Sequence, residues 1–573
     1  MKKLNLLLLM MAILFALSTV NAQQWGLYTL YATKDGTQGY LIDTASVNYK
    51  TWTFSSSKKS GYSAYLVPGD TLVRTYKYTG NVINGGGVTG GVQKVDWSGN
   101  VVWDYVYSSS TYVIHHDICP LPNGNVLMIS YDVKTSADAI QAGSSSSSTF
   151  YSEKIIEVHP TGATTGTIVW EWKLWDHLCQ NYNSSKDNYV TSIINNPQLL
   201  NINYTGTGML PDRWHMNGLD YNADLDQIVL SIHFMNEAYI IDHSTTAVEA
   251  AGHNGGNSGK GGDFLYRWGN PASYGATGTT IFNVIHDAHW IPSDNPNYPD
   301  YLCGFNNNPP SNSKVDIWNP PYDGYNYLLT LGSAYAPSTY DYQFTATFAA
   351  SNEGNSQQLP NGNMIVNNSF GSIYEVNAAG TNLWTKSNAN SSHAYRYSKC
   401  YVRGPIATAG ASSTSVSPGT PITLSSSASS VTETSPSYTY SWSSDPSGFS
   451  SSLQNPADSP YTTTTYTVTV TNTALGCSNT ASVTVDVVTG MIDETTKNDI
   501  TLFPNPTTGI LNIAGSVVEN QNFEICIYNT YGKLILKKKN TIIIDLFDFD
   551  NGMYFLQIIS ENNIVNNKVL LMK

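Results

Sequence analysis

Charge is scarce in this chain. Only 12% of its 573 residues are Asp, Glu, Lys or Arg, and 28 basic residues face 42 acidic ones, a formal net charge of -14. Nucleic acid and anionic membrane both demand basic surface, so neither is expected as a partner. Small anionic substrates remain open, because local potential binds them. Cysteine is scarce too: Cys119, Cys179, Cys303, Cys400, Cys477 and Cys526 are scattered, with no C-x-x-C. That excludes a zinc ribbon and a dense disulfide framework and leaves room for one or two disulfides of unspecified pairing. Apolar runs of spanning length are missing. The one long run, residues 4–20, follows Lys2 and Lys3 and ends at the small-residue site Val20, Asn21, Ala22. It reads as a signal peptide over 1–22, with a mature chain from near Gln23 that leaves the cytoplasm and no stable membrane span. What is plentiful is Tyr, Gly, Ser, Thr and Asn, which suits a secreted all-β protein with many turns.

The length suggests roughly three domains. Composition breaks near Arg403, and no Lys or Arg occurs from there to Lys497. Residues 404–490 carry short alternating runs such as "YTYSWSS" and "TTYTVTVTN", the pattern of a small β-sandwich with Trp442 in its core. Residues 491–573 read as a second small β-sandwich. Residues 23–403 repeat themselves weakly. "LVPGDTLVRT" (66–75), "LPNGNVLMIS" (121–130) and "LPNGNMIVNN" (359–368) are copies of one turn-plus-strand unit. "ADLDQIVLSI" (223–232) and "DYLCGFNNN" (300–308) fill similar slots. Closing hairpins such as "DWSGNVVW" and "NAAGTNLW" follow. Degenerate four-stranded units of this kind point to a β-propeller, and its length to six blades.

The 11 histidines gather in motifs. They are His115-His116-Asp117; "RWHMNGLDYN" with His215 and Asn217; "SIHFMNEAYIIDH" with His233; "VIHDAHWIP" with His286, Asp287 and His289; and "SSHAYRY" with His393 and Arg396. Equivalent positions in successive blades face one central funnel, so such motifs can converge. His159, His177, His243 and His253 lie in loop-like contexts and are expected to be structural or exposed. Alternation along an extended segment sends His115 and His116 to opposite faces, and His116, beside Asp117, is the better placed. Converging histidines serve metal binding or nucleophilic catalysis. H-x-x-H off a helix and sparse carboxylates argue against a metal, so no metal or cofactor is expected.

Three resemblances sharpen this reading. The tail "PNPTTG … IYNTYGK … DL … GMYFL" resembles the C-terminal sorting domain of type IX secretion substrates. It implies a Gram-negative source and export to the surface by that machinery. Residues 404–490 resemble the Ig-like or PKD-like spacers of secreted bacterial proteins. "HHDICPLPNGNVL", "WHMNGLDYNADLDQIVLS", "GGNSGKGGDFLYRWGNP", "HDAHWI" and "GNSQQLPNGN", in that order, resemble bacterial aryl-sulfate sulfotransferases of the nucleotide-independent type. That resemblance implies a six-bladed propeller moving a sulfuryl group from a phenolic sulfate donor to a phenol acceptor through a transiently sulfated histidine. By motif, His286 is the implied nucleophile, with His215, Asn217 and His116 as its catalytic partners. His115, His233, Asp287 and Trp290 complete the expected substrate-binding set. Asp287 is also a candidate for holding the His286 tautomer, and Trp214 for aryl stacking or packing. The family commonly has Arg where His233 stands, and Arg396 or Lys260 are the candidates to replace that fixed cation. A non-catalytic surface-binding propeller and a metal-dependent esterase are the rival classes.

Overall fold

The computed structural model describes residues 28–67, 71–430, 436–488, 500–515, 518, 522–530, 533–560 and 563–573; the expected signal peptide lies outside them. The chain is nearly all β and divides into two compact units. The first comprises Met1–Ile406, Ser429–Tyr438 and Thr471–Asn479. It contains six four-stranded antiparallel sheets.

One sheet is built from both ends of this segment. Ala394–Tyr397 pairs with Tyr28–Ala32, which is followed by Gln38–Ile42 and Asn48–Thr53. The last strand thus completes the first sheet and fastens the ring. The other five run in chain order from inner edge strands Ser60–Val67, Tyr112–Pro120, Met216–Asn222, Ile285–Trp290 and Asn355–Gln358. A single hydrogen-bonded set touches the inner strand of every sheet. Tyr65 donates to Asp117 (2.8 Å) and its hydroxyl meets that of Tyr395 (3.3 Å). Tyr395 donates to Asp287 (3.3 Å), whose other oxygen accepts the Ser356 amide (2.9 Å), while the Leu219 amide points at Asp117 (3.4 Å). This is the radial arrangement of a β-propeller.

The repeated turns form as their residues dictate. In both "LPNGN" copies the Gly amide bonds back to the Leu carbonyl and the Leu amide bonds to the last Asn. Gly124 and Gly362 take φ of 85° and 84°, a region that costs glycine little. Asp96 and Asn377 close their hairpins alike, through Gly99 and Gly380. Between the sheets, buried Trp52, Trp103, Trp172, Trp214 and Trp318 fill the core.

Residues 406–487 form a three-stranded and a five-stranded sheet, with Trp442 1% exposed on Tyr438–Asp445. Residues 501–571 form another pair of sheets, of three and four strands. Cys400 and Cys477 are joined in a disulfide, both within the first unit. Closing a separation of 77 residues stabilises the fold by roughly 4 kcal/mol on chain-entropy grounds. No helix among the described residues is long and apolar enough to cross a membrane.

Candidate active site

The inner strands are bulged where the histidines sit. Pairing slips between Ser60 and Ala64, Ile114 and Ile118, Met216 and Gly218, and His286 and His289. His116, His215 and Asp287 take φ of 49°, 59° and 53°, the left-handed region that costs an L residue about 1 kcal/mol or more. A bulge breaks alternation and re-aims side chains. His115 and His116 therefore do not point to opposite faces as simple alternation predicts. Their Nδ1 atoms meet at 3.0 Å.

His116 and His286 on inner strands, His215 just before the inner strand Met216–Asn222 and His233 in the turn after Gln227–Ile232 form a continuous series. Ring centroids lie 4.6 Å apart for His116–His215, 5.3 Å for His215–His233 and 4.8 Å for His233–His286. The 83–88 loop "INGGGV" lies against two of these rings. A Cβ at Gly86 would come within 2.1 Å of His215, and one at Gly87 within 1.9 Å of His116, so only glycine allows the backbone this close.

Each of the four rings is held through Nδ1. His286 Nδ1 bonds Asn307 Oδ1 at 2.6 Å. The Asn307 NH2 donates to the carbonyls of Ala350 and Glu353, so its oxygen must face the ring and the ring must donate from Nδ1. The His286 Nε2 lone pair accepts the Glu353 backbone N–H at 3.1 Å. His215 donates Nδ1–H to Asp212 (2.7 Å), which also accepts from Tyr131 (2.8 Å). Asn217 spends its NH2 on the Ile285 carbonyl (2.8 Å) and His233 Nδ1 (3.3 Å), while Ser231 donates to its oxygen. This fixes His233 as an Nε2–H donor. His115 lies behind His116, stacked on Tyr131, and its Nε2 meets Glu153 Oε2 at 2.9 Å.

Burial governs the titration of these groups. It pushes His286 down from 6.5 to about 3, against the opposing hydrogen bond to Asn307. Burial first, then neighbouring imidazoles, holds His116 and His233 well below 6.5, and His115 falls to about 3. Burial raises Glu153 well above the ordinary carboxylate range. For Asp212 burial is the largest single influence and pushes upward, but the hydrogen bond and charge of His215, with the Tyr131 hydrogen bond and His115, together outweigh it and the carboxyl stays low. At neutral pH, therefore, the rings of His286, His233 and His116 are neutral, and His233 is the imidazole in contact with His286.

Several expected roles move. Asp287 does not touch the His286 ring. The bulge turns its carboxylate to Ser356, Tyr395 and His289, and Asn307 holds the tautomer instead. Asp287 and Trp290 line a different cavity of about 930 Å³, with Tyr65, Cys119, Asp220 and His289, at the downstream halves of the inner strands. Asn217 orients His233 rather than presenting a free amide. Trp214 is fully buried packing. Neither candidate cation replaces the family Arg: Arg396 pairs with Glu375 and stacks on Trp384, and Lys260 lies in the loop beside Asp263. Lys34 and Lys77 lie 5.2 and 5.8 Å from the ring of Tyr62, which packs 5.0 Å from His116, but each is paired with a carboxylate, Glu353 and Asp35 respectively. Among the described residues one group could hold a metal, His177, His253 and Asp263, and it includes none of the series. Asp212, Glu153 and Asn307 were missed by sequence reasoning. Asp212, three residues before His215, could have been found as a local partner, whereas Glu153 and Asn307 arrive through sheet register.

No curated protein matches the chain. Among solved structures, a protein of unknown function from Bacteroides caccae is 9% identical, with 63% of this chain and 94% of that one covered at a TM-score of 0.35. The periplasmic gluconolactonase PpgL of Pseudomonas aeruginosa is 12% identical, with 64% and 97% covered at 0.36. A family model for secretion system C-terminal sorting domains matches residues 501–572, so the protein carries a type IX sorting domain and is directed to the cell surface. The model for arylsulfotransferase (ASST) matches residues 29–393; it spans well over half of the chain, which belongs to the arylsulfotransferase family.

Proposed function

We propose that the protein moves a sulfuryl group from a phenolic sulfate ester to a phenol through a sulfo-histidine at His286. The observation that carries this is the row of four imidazoles, each held by Nδ1, with the Nε2 of His286 occupied by the Glu353 backbone N–H. Sulfuryl transfer resembles loose phosphoryl transfer: attack is in line, and negative charge spreads over the peripheral oxygens. Catalysis is then mainly positioning and electrostatics. His286 and His116 stand at opposite ends of the series, as nucleophile and leaving-group acid should. His286 Nε2 attacks sulfur once the Glu353 N–H releases it. His233 Nε2–H donates to a sulfuryl oxygen, and Asn217 positions that ring. His215, with Asp212 behind it, stabilises charge developing between them. His116 protonates the departing phenolate and later deprotonates the acceptor.

The test uses the purified protein with a fluorogenic aryl sulfate, with and without added phenol. The expected result is phenol-stimulated release together with an aryl sulfate of the acceptor. Bound but unturned ligand would instead make the protein a binding propeller. The acid side of the rate profile is a second check. An ordinary histidine nucleophile would protonate near pH 6.5; His286, depressed to about 3, stays neutral far below that. kcat/KM measured from pH 4 to 8 should show no loss centred at 6.5 on its acid side. A drop of tenfold per unit beginning there would contradict this tautomeric and electrostatic account.

A further inference from the structure

His115 and Glu153 take no part in the chemistry described so far, yet both are fully buried behind His116. The contacts are His116 Nδ1 to His115 Nδ1 at 3.0 Å and His115 Nε2 to Glu153 Oε2 at 2.9 Å. The other carboxyl oxygen, Oε1, accepts the Met216 amide at 2.8 Å. No water is needed to complete this chain, and it allows two proton arrangements. With Glu153 protonated, Oε2–H donates to His115 Nε2, His115 Nδ1–H donates to His116 Nδ1, and His116 presents Nε2–H. With Glu153 ionised every bond reverses, and His116 presents an Nε2 lone pair. The ionisation of a carboxyl one ring away therefore sets whether His116 is an acid or a base.

We propose that Glu153, His115 and His116 form a proton relay in which Glu153 stores the proton between the two half-reactions. The inference rests on the transfer reading above and deepens it. In the first half, His286 Nε2 forms the N–S bond and the S–O bond to the aryl oxygen breaks. The phenolate takes the Nε2 proton of His116. His116 Nδ1 takes the proton of His115 Nδ1, and His115 Nε2 takes that of Glu153, which becomes a carboxylate. The anionic charge that entered with the aryl sulfate now resides on Glu153, facing a sulfo-imidazolium that keeps its Nδ1–H on Asn307. In the second half the acceptor phenol gives its proton to His116 Nε2, the relay runs back, and Glu153 is protonated again. The new phenolate forms the O–S bond as the N–S bond breaks, and the product leaves as the anion. Atoms and charge balance over the cycle, and no ring becomes an imidazolate or stays an imidazolium in the relay. The buried setting of Glu153 fits a resting acid, and the Met216 amide supports the transient carboxylate.

Glu153 acts through two other residues, so the test must read something beyond lost activity. Glu153→Gln keeps the size, and its NH2 can donate to His115 Nε2, freezing His116 as an Nε2–H that cannot be given up. A series of aryl sulfates with leaving groups from 4-nitrophenol to 4-methylphenol separates the cases. The nitrophenolate needs no proton to leave, so its release in a single-turnover first half-reaction should stay within about threefold of wild type. Release of the weakly acidic phenols should fall on the order of 10²–10³-fold, the share general acid catalysis supplies. An equal loss across the series, or none, overturns the relay. Should the variant not fold, the wild-type enzyme with 4-methylphenyl sulfate in H2O–D2O mixtures decides. Concerted transfer of several protons bows the rate plot, and a straight, single-proton plot overturns the proposal. Absence of any aryl sulfate turnover by the wild type would instead remove the transfer reading itself.

Discussion

His286→Ala is expected to abolish both half-reactions, with a loss of at least about 10⁴-fold, as when an enzyme loses its covalent nucleophile. The loss should appear in the first turnover as well as the steady state, because the variant cannot form the N–S bond. The change leaves Asn307 Oδ1 and the Glu353 amide without their ring partner. Some destabilisation, of about 1–3 kcal/mol, should accompany it, so the assay belongs well below the variant's melting temperature. Two companions make the result specific. Added imidazole can occupy the space vacated and restore release of the aryl alcohol without phenol. His289→Ala, three residues along the same strand, should keep activity within about tenfold. His289 follows the bulge and packs against Asp287 beside the other cavity. Normal turnover by the His286 variant, or equal loss in both variants, would defeat the nucleophile assignment.

The contrast between these two histidines shows how far the sequence carried. The two LPNGN turns and the Asp96 and Asn377 hairpins were legible because their chemistry is local. Gly and Asn relieve positive φ where the chain must reverse. His116, His215, His233 and His286 were legible as a set because each falls in a compact motif. Their directions were not. The bulges at 114–118 and 286–289 insert residues whose pairing depends on the neighbouring strand, so His115 and His116 converge and Asp287 swings away from His286. The supporting shell was hidden for a related reason. Glu153 is 38 residues from His115 and Asn307 is 21 from His286. Neither separation has a local signature: Glu153 reaches His115 across the intervening strand Val126–Lys134, and Asn307 follows the strand paired with that of His286. Arg396 looked available as a free cation because sequence does not reveal that Glu375, on a different sheet, reaches it.

Asn307→Leu should lower kcat by about 10²–10⁴-fold with KM changed only a few-fold, the upper end matching a histidine held in the wrong tautomer. The cause lies in the amide. Its NH2 is committed to the carbonyls of Ala350 and Glu353, so its oxygen holds Nδ1–H on His286 and, once substrate displaces the Glu353 amide from Nε2, keeps the lone pair there. Leucine fills similar volume but accepts nothing. When the Glu353 amide releases Nε2, His286 is then free to carry its proton there, where it cannot attack sulfur. Substrate contacts made by His116, His215 and His233 survive, which is why KM should hold. Asn307→Asp separates orientation from packing. A carboxylate there still accepts Nδ1–H but adds a negative charge beside the ring, favouring the imidazolium. That raises the His286 pKa from about 3 toward neutrality. The acid limb of kcat/KM should therefore move to higher pH in the Asp variant, with partial recovery of rate above it relative to Leu. If both variants lose the same rate and the Asp profile keeps the wild-type acid limb, Asn307 is only filling space, and the tautomer of the nucleophile must be set elsewhere.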